Sequence, residues 1–110
     1  IENGGDWLPS LCWNLDRAVT WPHSGPWPGG RLEGKPSEVL RRHVWVSPWP
    51  DEDVNAIVRC MGAERVLFGS DFPHPEGCRE PLDFMLALKD LPDREVRRIL
   101  RDNFEGLIAG

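Results

Sequence analysis

Leu67-Phe68-Gly69-Ser70-Asp71-Phe72-Pro73-His74-Pro75-Glu76-Gly77 is the stretch whose reading decides the fold. With Arg65 and Val66 ahead of it, it opens as an unbroken apolar run without alternation, the pattern of a parallel strand buried on both faces. The run stops at Gly69-Ser70, and Asp71 stands directly behind it. In parallel α/β architectures the functional groups sit at the carboxyl ends of the strands. A carboxylate beside a hydrophobic strand needs a cation, hydrogen-bond donors or water. A divalent metal meets that need, since aspartate oxygen is a ligand for zinc, manganese and magnesium. The same carboxylate can take a proton from metal-bound water. On residue pattern alone, a turn or helix cap is the simpler reading of Asp71. Pro73 and Pro75 flank His74, and their fixed φ angles limit the directions open to His74 and Glu76. Taken singly, His74 reads as a loop histidine; His23 and His43 have still less to mark them.

Working outward, His43-Val44-Trp45-Val46-Ser47 is a second β-type run, stopped by Pro48 and Pro50. Asp51-Glu52-Asp53 then places acid at a helix N-terminus, which the helix dipole favours. Val54, Ile57, Val58 and Met61 form its apolar stripe, and Gly62 suits its C-terminal end. Toward the N-terminus, Asn3-Gly4-Gly5 is turn chemistry and Asp6 a candidate cap. Leu8, Leu11, Cys12 and Leu15 stripe a helix expected to end near Val19 or Thr20. Residues 21–36 form a long Pro/Gly-rich loop of the kind that carries function, and Pro36–Arg42 reads as a short helix. Beyond the quoted stretch, helices are expected over Pro81–Lys89 and Asp93–Arg101, the latter burying Val96, Ile99 and Leu100. A last helical turn holds Phe104, Leu107 and Ile108. The six tryptophans read most simply as core and loop packing.

Strands alternating with helices argue for βα units and a parallel sheet. Two or three strands alone would leave long unpaired edges, so the pattern points to part of a larger α/β sheet or barrel. The chain has 110 residues and a net charge of −5, with 40% hydrophobic and 28% charged residues. No lysine/arginine block suits a phosphate backbone, which argues against nucleic acid. Arg94, Arg97, Arg98 and Arg101 are interleaved with Glu95 and Asp102 and read as a solvated helix face. No apolar run reaches the ~20 residues of a membrane span. Cys12, Cys60 and Cys78 form no C-x-x-C pair, and reduced thiols in a cytoplasmic protein are expected. A thiol enzyme built on Cys60 or Cys78 has no evident base beside the sulfur. The opening, Ile1 followed at once by a turn, resembles the end of a strand.

The quoted run resembles the last-strand signature of the amidohydrolase-related family, in its aminocarboxymuconate-semialdehyde decarboxylase-like branch. Three further segments agree in order. Glu2-Asn3-Gly4-Gly5-Asp6-Trp7-Leu8-Pro9 resembles the stretch after the family's sixth strand. Lys35–Pro48 resembles the approach to and course of the seventh, and Arg94–Leu107 the C-terminal helix with its Asp102-Asn103 pair. The resemblance implies that residues 1–110 are the C-terminal portion, about strands 6–8 with their helices, of a single TIM-like (β/α)₈ barrel domain. A full barrel takes about 250 residues. It also implies a divalent metal, zinc first with manganese or magnesium as alternatives, and a metal-dependent hydrolase or decarboxylase acting on a small carbonyl or carboxylate substrate. Asp71 matches the metal ligand and catalytic carboxylate. His74, Glu76 and Glu2 are candidates to touch the substrate or to support the ligand, Glu2 standing where decarboxylase members carry a histidine. The family's His-x-His pair is not in these 110 residues, so the isolated chain is expected to be inactive. The expected partner is the remainder of the barrel or a second copy. The competing expectation is a non-catalytic barrel module acting through protein–protein contacts.

Overall fold

The computed structural model describes residues 3–21, 25 and 27–110. Six α-helices follow in chain order: α1 (Leu8–Ala18), α2 (Pro36–His43), α3 (Val54–Met61), α4 (Phe84–Ala87), α5 (Asp93–Arg97) and α6 (Asn103–Ala109). Single 3₁₀ turns occupy Ala63–Arg65 and Pro81–Asp83, the latter replacing the first turn of the helix expected over Pro81–Lys89. Helix α3 matches its pattern closely. Asp53 accepts a hydrogen bond from the Ala56 amide, all four stripe residues are buried, and Gly62 ends the helix at φ +87°. The α1 expectation differs at its start. Asp6 caps nothing; Trp7 holds the N-cap position without a side-chain bond, and Pro9 sits in the first turn as expected.

The two expected strands are present in register but not as a ladder. Among the described residues the sheet is one parallel bridge, Val46 against Val66. The Val46 amide donates to the Arg65 carbonyl at 2.9 Å, and the Leu67 amide to the Val46 carbonyl at 2.8 Å. That is the slanted pattern of a parallel pair. Pairing stops there for identifiable reasons. Pro48 and Pro50 have no N–H to give, and α2 runs through His43, the expected first strand residue. The Phe68 amide donates instead to the Ile99 carbonyl at 3.1 Å. Burial is also less than expected for a strand covered on both faces: Val66 is fully buried, while Leu67 and Phe68 are half-buried.

Ile99 can accept this bond because the C-terminal helices are joined by a π-type turn over Arg98–Asp102. There the Asn103 amide reaches back to the Arg98 carbonyl, five residues away, and bypasses Ile99. The expected break between two helices is therefore a continuous α5–π–α6 run. From it the Asn103 carboxamide donates to both the Ala63 and the Val66 carbonyls at 2.7 Å. The core lies between this run, α1, α3 and α4: Leu8, Ile57, Met61, Val66, Phe84, Leu88 and Ile99 are each at most 1% exposed. The tryptophans are not in it. All six are at least 37% exposed. Two arginines cover aromatic faces: Arg17 lies 4.8 Å from the Trp13 ring and 5.6 Å from Trp21, and Arg65 lies 4.2 Å from Trp45.

Helices α1 and α2 are pinned by Asp16, whose carboxylate accepts from the Ser37 amide at 2.9 Å and the Ser37 hydroxyl at 2.7 Å. Desolvation pushes the Asp16 pKa up, but the Ser37 bonds together with Lys35 and Arg41 outweigh it. The group stays below its ordinary value of 3.8. A depressed carboxylate pKa contributes stability above the unfolded value and loses it as pH falls through the folded one. The stability gap between the natural protein and Asp16→Asn should therefore be constant near neutrality and shrink below about pH 3.8, as read by urea unfolding across pH. Asn103→Ala removes two donors from part-buried carbonyls. It should destabilise by about 1–3 kcal/mol in the same assay, whereas substitution of the exposed Arg94 should change little.

Candidate functional site

The loop after Val66–Phe68 is shaped by three backbone features. Asp71 lies in the left-handed region at φ +53°, unusual for a residue other than glycine. The Ser70 carbonyl accepts from the Cys78 amide at 2.7 Å, and the Asp71 carbonyl from the His74 amide at 2.9 Å. Gly77 closes the loop by close approach: a Cβ there would stand 2.6 Å from the Asp71 carbonyl oxygen. The turn-capping role considered for Asp71 falls to its neighbour, since Ser70 Oγ accepts from the Phe72 amide at 3.3 Å. No backbone amide among the described residues donates to the Asp71 carboxylate.

The loop brings Asp71, His74 and Glu76 together. Imidazole Nδ1 of His74 lies 4.0 Å from an Asp71 carboxylate oxygen and 3.9 Å from one of Glu76. One ligand atom from each residue can be chosen so that all three lie within 4.8 Å of one another. Two ligands about 2.1 Å from one tetrahedral ion stand about 3.4 Å apart, so sharing a cation would need the two histidine pairs to close by about half an ångström and the widest pair by up to about 1.4 Å. The mixture of carboxylate and imidazole suits zinc or manganese. The side chains are 43%, 54% and 59% exposed, so solvent and ligands reach them. Glu2 and His23 lie outside the described residues.

Asp71 and Glu76 open onto a cleft of about 370 Å³, whose other walls are Gly4, Ser47, Pro48, Trp49, Pro50 and Gly69. Ser47 and Gly69 mark the carboxyl ends of the two bridged segments. They touch so closely that a Cβ on Gly69 would stand 2.6 Å from Ser47 Oγ.

Sequence reading missed Glu52. Its carboxylate accepts from the Gly5 amide (2.8 and 2.9 Å), the Asp6 amide (3.0 Å) and the Trp49 amide (2.8 Å). It thereby fastens the Gly4-Gly5 turn to the Trp49 loop on the wall of the cleft. A Cβ on Gly4, which has φ +54°, would overlap the carboxylate. The signal that could have found the Trp49 half of this latch is an acid three residues after an amide at a helix approach. The Gly5 half spans 47 positions and left no local signal.

An acid-and-histidine loop at the carboxyl end of a parallel-paired segment stands where α/β proteins carry their functional groups. Comparison with known proteins makes the assignment specific. The family model described as Amidohydrolase matches residues 6–105, and the chain belongs to that family. The crystal structure of an amidohydrolase from Mycobacterium avium subsp. paratuberculosis is similar to it, with a TM-score of 0.78 and 36% identity over 97% of this chain. The chain spans 26% of that protein's length, which fits a partial barrel. No curated protein matches the chain.

Glu52→Ala should loosen the cleft wall and cost about 2 kcal/mol, the scale of hydrogen bonds to a charged acceptor. Amide hydrogen exchange should accelerate at Gly5, Asp6 and Trp49 and stay unchanged at Ala56, which Asp53 holds.

Proposed function

We propose that this chain is the C-terminal part, residues 1–110, of a single amidohydrolase barrel domain that hydrolyses or decarboxylates a small carbonyl or carboxylate substrate with a divalent metal. The observation that carries the reading is the Asp71 carboxylate. It stands at the carboxyl end of a parallel segment, uses none of its oxygens on the described backbone amides, and meets His74 and Glu76 over a cleft. Asp71 serves as ligand and proton acceptor, while His74 and Glu76 orient the substrate or support the ligand. Glu2, one residue ahead of the turn that forms the cleft wall, is assigned to the substrate. Zinc fits the donor set best, with manganese or magnesium as substitutes. A bound divalent ion would polarise the carbonyl or activate water. Family membership supports hydrolysis. The decarboxylase-like branch rests on the motif resemblance alone.

The same reading assigns the remainder of the barrel, or a second copy, to cover apolar side chains that stand exposed: Leu82 (71%), Leu86 (69%), Ile108 (67%) and Phe104 (55%). These exposed groups are also what favours the second reading, a barrel module working through protein contacts. Among the described residues no helix is long and apolar enough to cross a membrane; a cytoplasmic location is proposed with the enzyme.

Isothermal titration separates the readings. The isolated 110-residue chain should bind Zn²⁺ weakly and hydrolyse nothing, because the family's His-x-His ligands are not in it. In the full-length protein, Asp71→Asn should lower zinc affinity by at least 10–100-fold and abolish turnover. Tight stoichiometric binding by the isolated chain, lost in Asp71→Asn, would show that no further ligands are needed. Full activity in the Asp71→Asn protein would remove Asp71 from the chemistry.

A further inference from the structure

Cys12 on α1 and Cys60 on α3 lie far apart in sequence, yet the fold sets them side by side. They line one open cleft with Asp16 and Arg41, and the two thiols act on each other electrostatically. The Arg41 guanidinium donates to the Cys60 carbonyl and so fixes the end of α3 that faces α1. The two sulfurs differ in access: Cys12 is buried, whereas Cys60 is partly exposed. We infer that Cys12 and Cys60 form an oxidation site that closes to a disulfide when the protein meets hydrogen peroxide.

The order of events follows from access. The Cys60 sulfur reaches solvent and attacks one peroxide oxygen. The O–O bond breaks, water leaves, and Cys60 becomes a sulfenic acid. The neighbouring Cys12 sulfur then attacks the Cys60 sulfur. The S–S bond forms, the S–O bond breaks, and a second water carries off the Cys12 proton. Two thiols and one peroxide thus give one disulfide and two waters. Burial first, and the adjacent Cys60 second, push the Cys12 thiol up to about 12, so peroxide reacts first at the partly exposed Cys60, and the sulfenic acid formed there condenses with the thiol that lies beside it. The bridge needs the Cβ atoms to come to about 3.8 Å, and the packing of α1 on α3 sets both side chains on the one cleft where that approach can occur. Cys78 has no part in it. It is buried, and its thiol is bonded to the Glu80 carbonyl at 2.9 Å.

The test uses the full-length protein, reduced, treated with a small excess of hydrogen peroxide, blocked with N-ethylmaleimide and digested without reductant for mass spectrometry. The expected product is a Cys12–Cys60 linked peptide, with Cys78 recovered as a free thiol. In Cys12→Ala, sulfenic acid at Cys60 should accumulate, and its labelling by dimedone should rise several-fold over the natural protein. Oxidation of Cys60 to sulfenic or sulfinic acid in the natural protein without the linked peptide would overturn the inference, as would oxidation of Cys78 alone. Mapping of the natural protein decides the matter even if Cys12→Ala fails to fold. The metal reading is independent of either result.

Discussion

Two backbone hydrogen bonds set the register on which the candidate site depends: Val46 to Arg65, and Leu67 back to Val46. They set the Ser47 side chain against Gly69, and so place the Trp49 loop and the Asp71 loop on one cleft. So short a parallel contact is not self-sufficient, because its remaining backbone groups would be unpaired and half-buried. The C-terminal helices supply the partners. The π-type turn frees the Ile99 carbonyl for Phe68, and the Asn103 carboxamide takes Ala63 and Val66 together. A helical irregularity some thirty residues downstream thus holds up the segment that presents Asp71. Register and site belong to one hydrogen-bond accounting.

The helices were legible because their information is local. In α3 the apolar stripe, the capping acid and the terminal glycine all fall within ten residues, and each does what its position suggests. The strand pattern was legible too, but its pairing was not. A β-type run declares which residues can pair, while the pairs actually made depend on distant competitors such as Ile99 and Asn103. Asn103 was noticed only within an Asp-Asn resemblance, since nothing local distinguishes a clamp from a solvated amide. The tryptophans went wrong for a different reason. An indole is assigned to the core on area alone, yet here guanidinium groups from Arg17 and Arg65 shield three of the rings at the surface.

For the site, Asp71, His74 and Glu76 were legible as one motif because two prolines confine a short loop and the three donors must meet within it. The walls were not legible. Gly4, Ser47 and Trp49 come from other parts of the chain, and Glu52, which fastens two of those parts, looked like one more acid at a helix start. The Cys12–Cys60 contact escaped for the same reason: spacing rules find cysteines that are neighbours in sequence, and these are neighbours only once α1 packs on α3.

Two carboxylates at this cleft therefore have opposite uses, and their surroundings say which is which. Glu52 accepts from three backbone amides, which commits its oxygens to holding the wall. An acid so engaged has little left with which to bind a cation. Asp71 is raised into the left-handed region by a loop whose capping work is done by Ser70 and whose closure is done by Gly77. Its carboxylate is left with a histidine and a second acid for neighbours. Both acids come within 3.9–4.0 Å of the same imidazole nitrogen. The divalent ion proposed above would draw on all three as donors, a use that the engaged oxygens of Glu52 do not leave open.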